Sequence, residues 1–195
     1  MRIISGTARG RKLTTPPQKD ISIRPTSDRA REALFNILGG RVINSQVLDL
    51  FAGTGALGLE SLSRGAQRAV LVDKGHTALT IIKKNVSIFP TEYLDNKKIV
   101  VIKDDLQRPC FLKKLPQDIV PQFDIIFADP PYDRNLSLPI LQFINDNNIL
   151  VSNGLIILEE RYNIVLPSKL SNIELIDRRK YGETGFSFYQ NQTVS

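Results

Sequence analysis

Five short apolar runs decide what this chain can become: VLDLF at 47–51, AVLVD at 69–73, IVVIK at 99–103, FDIIFAD at 123–129 and GLIILEE from 154. Their residues are near-continuously apolar rather than alternating with polar ones. A strand needs that only when both faces of its sheet are covered. Between the runs lie segments of helical periodicity over 56–64, 77–88 and 136–147, with a shorter helical stretch at 106–115. Strands and helices alternating in this way predict a doubly wound α/β domain around a mostly parallel sheet. The tail breaks the rhythm. Segments 173–181 and 186–189 flank Gly182-Glu183-Thr184-Gly185 without room for a crossover helix, which predicts a C-terminal antiparallel hairpin.

Upstream of this body, the first 15 residues read as short β segments around Gly6 and Gly10, a small hairpin. A Pro-containing loop leads to Arg24-Pro25-Thr26, and a helix is predicted over 27–38, stopped by Gly39-Gly40. Ala30, Ala33, Leu34, Ile37 and Leu38 form its apolar stripe, with Arg29 off that stripe and Arg31 at least partly off it. The helix is therefore expected to dock on the body with its basic residues outward.

The charge supports this division. The chain holds 26 Lys and Arg against 20 Asp and Glu, a net charge of +6. Residues 1–41 carry nine basic and three acidic side chains, and the remaining 154 residues carry 17 of each sign. The whole excess sits at one end, which suggests a polyanion partner held there, although a solvated arm that is basic without a partner would look the same. The expected organisation is a basic extension over 1–41 and a neutral body over 42–195. No apolar run approaches the roughly 20 residues that span a bilayer, and the N-terminus lacks the pattern of a signal peptide. Cys110, the single cysteine, excludes an internal disulfide framework and a multi-cysteine zinc site. The expectation is a cytoplasmic monomer without membrane segment or metal.

The strand at 47–51 runs into Ala52-Gly53-Thr54-Gly55-Ala56-Leu57-Gly58. Glycines at this spacing let the backbone turn tightly at a strand end and let a ligand approach closely. With Asp73 ending the next strand, where a carboxylate can accept both ribose hydroxyls, the pattern predicts a nucleoside cofactor bound at Phe51, Gly53, Gly55 and Asp73. Asp49, four positions before Gly53, is out of place opposite a pyrophosphate. It suits a ligand with a cationic amino group and a sulfonium, such as S-adenosylmethionine, or else it caps local backbone amides. At the third strand's end, Asp104 or Asp105 offers a carboxylate to an adenine amino group. Asp105 is preferred because Leu106 follows it, and a helix N-cap is the plain reading of either.

Asp129-Pro130-Pro131-Tyr132 ends the fourth apolar run, at the sheet edge where α/β proteins bind ligands. The exocyclic amino group of a nucleobase is a poor nucleophile because its lone pair is delocalised. Two acceptors gripping its hydrogens, the Asp129 side chain and the Pro130 carbonyl, would pull it toward tetrahedral geometry. Pro131 stiffens the loop, and Tyr132 can stack on a base that has left its own stack. A Pro-rich turn closing a strand is common by itself. About 75 residues after a matching glycine loop, it points to methyl transfer. His76 is expected at a helix terminus on the surface, Cys110 in packing, and Glu159 and Glu160 near the cleft, as solvated carboxylates in preference to substrate contacts.

These segments resemble the class I S-adenosylmethionine-dependent methyltransferases that act on amino groups, in the glycine-loop and D-P-P-Y motifs. The stretches Arg2-Ile-Ile-Ser-Gly-Thr-Ala-Arg-Gly-Arg-Lys-Leu13 and Arg24-Pro-Thr-Ser-Asp-Arg-Ala-Arg-Glu-Ala-Leu-Phe-Asn-Ile-Leu38 resemble the signature of the RsmD family, and Lys180-Tyr-Gly-Glu-Thr184 is similar to its C-terminus. That family consists of bacterial 16S rRNA guanine-N2 methyltransferases. The resemblance implies a seven-stranded sheet with a reversed last strand, and a substrate that is 16S rRNA in an assembled or assembling small ribosomal subunit. It leaves Asp104 and Asp105 both open. Arg2, Arg9, Arg11, Lys12, Arg24 and Arg29 are then the expected rRNA phosphate contacts. Three rivals are a DNA adenine-N6 methyltransferase, a nicotinamide-dependent oxidoreductase built on the glycine loop, and a non-catalytic rRNA-binding assembly factor. Asp49 and D-P-P-Y argue against the oxidoreductase. The length leaves a DNA enzyme little room for a target-recognition region, and an intact D-P-P-Y argues against a non-catalytic factor.

Overall fold

A computed structural model describes residues 1–16, 28–132 and 134–192. Arg24 and the loop around it lie outside the described residues. The strands are β1 (Gln46–Leu50), β2 (Arg68–Asp73), β3 (Ile99–Lys103), β4 (Phe123–Ala128), β5 (Leu150–Arg161), β6 (Lys169–Leu170), β7 (Ile173–Tyr181) and β8 (Thr184–Asn191). The helices are α1 (Asp28–Leu38), α2 (Ala56–Ser63), α3 (His76–Val86), α4 (Glu92–Asp95) and α5 (Ser137–Asp146). The stretch expected to be helical at 106–115 narrows to a 3-10 turn at Phe111–Lys114.

The strands form one sheet in the order β3-β2-β1-β4-β5-β8-β7-β6. The first five are mutually parallel, and the last three run antiparallel to their neighbours. The sheet thus has eight strands among the described residues, where seven were expected. The addition is the two-residue β6, which pairs Lys169 and Leu170 with the start of β7 and was too short to leave a periodic signal. As expected, the terminal hairpin is present, and its β8 inserts between β5 and β7.

The near-continuous apolar strands divide by alternation into two cores. Val47, Ala69, Leu71, Ile125, Phe127, Leu155 and Ile157 face a layer that includes α1, α2 and α3. Leu48, Leu50, Val70, Val72, Ile126, Ala128, Ile156 and Leu158 face α5 and Phe111 on the other side. The connection leaving β1 goes to β2, while the chain returning from β3 enters β4 on the opposite side of β1. That reversal of winding opens a crevice at the strands' C-terminal ends.

The N-terminal residues belong to the first of these cores, through Ile3, Ala8 and Leu13. The expected hairpin is a clasp with a single antiparallel bridge, Arg2 to Lys12, supported by Ile3 N–H to the Arg11 carbonyl at 3.0 Å and Gly10 N–H to the Ile3 carbonyl at 2.9 Å. Buried polar groups of α2 hold it. The Glu60 carboxylate, fully buried, accepts from Ile4 N–H at 2.7 Å and Ser5 N–H at 3.0 Å, and pairs with Arg64. Ser63 accepts Ala8 N–H at 2.9 Å and donates to the Ser5 carbonyl. Gly6 passes so close that a Cβ there would fall 1.7 Å from the Ser63 carbonyl oxygen, with φ at +83°. No larger residue fits at that crossing.

The α1 face differs from the expected stripe. Its buried residues are Ala30, Arg31, Leu34, Phe35 and Leu38, while Ile37 is 41% exposed. Phe35, the largest apolar side chain on the helix, turns the buried face toward itself and packs against Phe127 of β4 with ring centroids 6.0 Å apart. That rotation carries Arg31 inside, where it was expected outside; Arg29 is exposed as expected.

Candidate active site

The crevice holds a cleft of about 790 Å³. Register fixes what meets there. Leu50 of β1 pairs with Val72 of β2 and Ala128 of β4, so the residues that follow these strands leave the sheet at one level. Asp129 N–H donates to the Leu50 carbonyl at 3.4 Å, Ala52 N–H to the Val72 carbonyl at 3.0 Å, and Asp104 N–H to the Asp73 carbonyl at 3.0 Å. Asp49, Phe51, Gly53, Asp73, Asp105, Asp129, Pro130, Pro131 and Tyr132 all line the cleft, as does Asp104. Gly55 does not: at φ +75° it forms the N-cap of α2 and faces Leu71, Ile82 and Leu59.

The glycine loop is braced by the acids expected to hold a ligand. Asp73 accepts Gly53 N–H and Gly75 N–H, each at 2.8 Å, and so couples the β1 loop to the start of α3. Asp49 accepts Gly58 N–H at 2.9 Å, capping α2 from within the sheet. A Cβ at Gly58 would fall 2.7 Å from a Leu71 methyl and 3.3 Å from Asp49 Oδ2, so a larger residue there would force Leu71 to shift. Phe51 turns the chain out of β1 at φ +60°, a strained conformation for a non-glycine residue at the mouth of the cleft.

Electrostatically the cleft favours a cation. Burial, only partly offset by the Gly58 N–H and reinforced by repulsion from Asp73, pushes the Asp49 carboxyl up to about 7. A positive group beside it would relieve both penalties. The two neighbouring acids at the end of β3 part company. Burial opposes ionisation of Asp104, but hydrogen bonds from the Cys110 thiol, Lys114 and Cys110 N–H outweigh it and hold the carboxyl below its usual range. Asp105 is exposed, paired with Lys74 at 3.2 Å, and accepts Gln107 N–H. Asp104 is thus committed to the 110–114 turn, whereas Asp105 faces the cleft from its rim.

On the far side, the Tyr132 hydroxyl lies 3.1 Å from Thr184 Oγ1 of β8 and 3.4 Å from Glu159 Oε1, and the Arg161 guanidinium sits 5.5 Å from its ring centroid. This wall was missed in sequence. Glu159 and Glu160 are buried, not solvated, because β5 runs through Arg161 and β8 covers it. Ser137 donates to Glu160 at 2.6 Å. Cys110 is exposed rather than packed, and its thiol donates to Asp104. His76 begins α3 on the surface, as expected, at the cleft margin. Arg31, also missed, contributes to the cleft wall from α1. Of the residues expected to contact phosphate, Arg2, Arg9, Arg11, Lys12 and Arg29 are exposed on the clasp and α1.

Comparison with known proteins matches residues 1–190 to a family model described as conserved hypothetical protein 95. Ribosomal RNA small subunit methyltransferase D of Escherichia coli (strain K12) is 35% identical over 192 residues, covering 98% of this chain and 90% of its own. The protein of the same name from Haemophilus influenzae is 35% identical over 193 residues, covering 98% of this chain and 94% of its own. The solved structure of the Escherichia coli protein yhhF superposes with a TM-score of 0.79 at 34% identity, over 98% of both chains.

Proposed function

The chain belongs to the family described as conserved hypothetical protein 95, the RsmD family that its N-terminal signature resembles, and from that premise we infer that it is an S-adenosylmethionine-dependent methyltransferase of small-subunit ribosomal RNA. The target is the exocyclic N2 of a guanine in 16S rRNA. One observation carries the reading: the glycine loop after β1 and the Asp129-Pro130-Pro131-Tyr132 loop after β4 emerge side by side, in register, into one acidic cleft.

S-adenosylmethionine supplies, when bound, a methyl group on a sulfonium that is already activated for transfer. Asp49 holds its cationic amino end, Phe51 and Gly53 border it, and Gly55 shapes the turn without touching it. Asp73 retains lone pairs beyond those used by Gly53 and Gly75, and these accept the ribose hydroxyls. Asp105, free of the 110–114 turn, accepts from the adenine amino group. On the substrate side, the Asp129 carboxylate and the Pro130 carbonyl grip the amino hydrogens and localise the nitrogen lone pair. Pro130 and Pro131 lock φ, so both acceptors wait in position. Tyr132, steadied by Thr184, Glu159 and Arg161, stacks on the flipped base.

Incubating labelled cofactor with small subunits from a strain lacking the protein, and separately with naked DNA, tests this. Label in one guanine of 16S rRNA is expected; label confined to adenine in DNA, or none in either, overturns the reading.

Asp49 gives the cofactor step a pH signature. The folded carboxyl holds its proton more tightly than the unfolded one, so this group's stabilisation is full below about pH 4 and is lost as pH rises through about 7. A cationic ligand must displace that proton when it binds below about 7. Calorimetry should therefore show affinity falling by up to about tenfold per pH unit below 7, with proton release on binding. Asp49→Asn should abolish the slope.

The basic extension, residues 1–41, is the rRNA clamp. Replacing Arg9, Arg11 and Lys12 with Ala should weaken binding to small subunits and flatten its salt dependence by about 2–3 in the log–log slope. Cofactor affinity should not change. Wild-type affinity and slope in that triple variant would return the arm to a solvated surface.

A further inference from the structure

Among the described residues, Arg31 has the most unmatched buried donors. It is 0% exposed, yet of its three guanidinium nitrogens only Nη2 is engaged, donating to the Arg2 carbonyl at 2.7 Å and to Asp28 Oδ1 at 2.8 Å. Nε and Nη1 are buried and have no hydrogen-bond partner among the described residues. A guanidinium does not shed its charge on burial. Donors left unmatched in a low-dielectric setting are destabilising, and native structures keep them for a reason. Arg31 also forms part of the cleft wall.

Its position narrows the ligand. Of the other basic side chains on the cleft wall, His76 is exposed at the start of α3, Arg134 is exposed beyond the β4 loop, and Lys74 and Arg161 are already engaged. Lys74 is paired with Asp105 beyond β2 and β3, and Arg161 sits against Tyr132 beyond β5. Arg31 stands between them. One turn further along α1, Phe35 packs on Phe127 of β4, and the clasp that Arg31 grips reaches the β1 loop, where Met1 meets Thr54. These contacts place Arg31 on the side of the cleft toward β1 and β4, the stretch that contains Asp49. A ligand whose cationic amino group lies toward Asp49 carries its carboxylate one carbon away, in a cleft whose acidic lining is Asp49, Asp73, Asp104, Asp105, Asp129 and Glu159. Without a cation, that carboxylate would meet like charges.

We propose that Arg31 receives the α-carboxylate of the cofactor's amino-acid end through Nε and Nη1, making the pair Asp49–Arg31 a recognition site for a free α-amino acid group. The proposal rests on the cofactor reading above. It also gives the clasp a second attachment to the cleft, since the guanidinium that meets the carboxylate holds the Arg2 carbonyl with its remaining nitrogen.

The test compares S-adenosylmethionine with its decarboxylated analogue, which keeps the amine and sulfonium and lacks only the carboxylate. Calorimetric affinities are measured on the full chain as wild type, Arg31→Met and Arg31→Lys. The wild type should bind S-adenosylmethionine about 10- to 100-fold more tightly than the analogue, the range for a hydrogen bond to a charged partner. In Arg31→Met the two ligands should become equivalent, through loss of the first and not gain of the second. Arg31→Lys, which retains the buried charge if Arg31→Met does not fold, should keep only part of the difference. Equal affinity for the two ligands in the wild type overturns the proposal, and so does discrimination that persists undiminished in the variants. Unchanged cofactor affinity with weakened small-subunit binding also overturns it and assigns Arg31 to the RNA. Failure of the wild type to bind either ligand would instead sink the cofactor reading itself.

Discussion

Asp129→Ala is expected to reduce methyl transfer by about 10³-fold while leaving cofactor affinity within about twofold of wild type. The split follows from the geometry. Asp129 follows β4, and its backbone N–H is held by the Leu50 carbonyl, so the loop stays in place when the side chain is removed. What is lost is the charged acceptor that grips the amino group as it pyramidalises, an interaction worth most in the transition state. The acids proposed to hold the cofactor lie within β1, at the end of β2 and just after β3, across Leu50 from this loop. Single-turnover transfer into small subunits, with calorimetry in parallel, measures both halves. Wild-type turnover in the variant would refute the assignment. Loss of cofactor binding would move Asp129 to the other side of the cleft.

Glu60→Ala is expected to be the most damaging substitution remote from the chemistry, lowering stability by about 3–5 kcal/mol, the usual consequence of removing one partner from a buried ion pair. The fully buried carboxylate is shared by Ile4 N–H, Ser5 N–H and the Arg64 guanidinium, and truncation would strand all three donors. For a chain of this length the midpoint of thermal unfolding should fall by about 10 °C. Protease sensitivity should appear first within residues 1–16, because these donors anchor the clasp to α2. A variant with unchanged melting and an intact N-terminus would show that apolar contacts alone hold the clasp.

How much of this was legible in the sequence depended on whether the deciding force was local. The five apolar runs predicted the parallel strands, their two-sided burial and the crevice, because alternation and run length are local properties. Asp49, Phe51, Gly53, Asp73 and the Asp129-Pro130-Pro131-Tyr132 loop could be placed in one cleft because each lies at or next to the C-terminal end of a strand, and parallel register brings those ends together. Glu159, Glu160 and Thr184 were not legible as one wall. Their meeting depends on β8 inserting next to β5, a pairing between segments about 25 residues apart that no periodicity encodes. Arg31 was misread for a different reason. The apolar stripe predicted on α1 included Ile37 and left out Phe35, whereas burial follows area, and the larger ring lies on the buried face. Weighting the stripe by side-chain size would have turned Arg31 inward. The choice between Asp104 and Asp105 hinged on Cys110 and Lys114, side chains whose partnership only the folded turn reveals.

The place of Thr184 in this wall bears on how the protein is made. Ribosomes deliver chains from the N-terminus, and the clasp can close on α2 once residue 64 is available. The hydroxyl that steadies Tyr132 arrives 52 residues after the ring it holds, on a strand that completes the sheet between β5 and β7. A nascent chain would thus own its basic arm and its glycine loop well before Tyr132 gains its partner on β8. The wall around Tyr132 is therefore assembled only after β8 has been made.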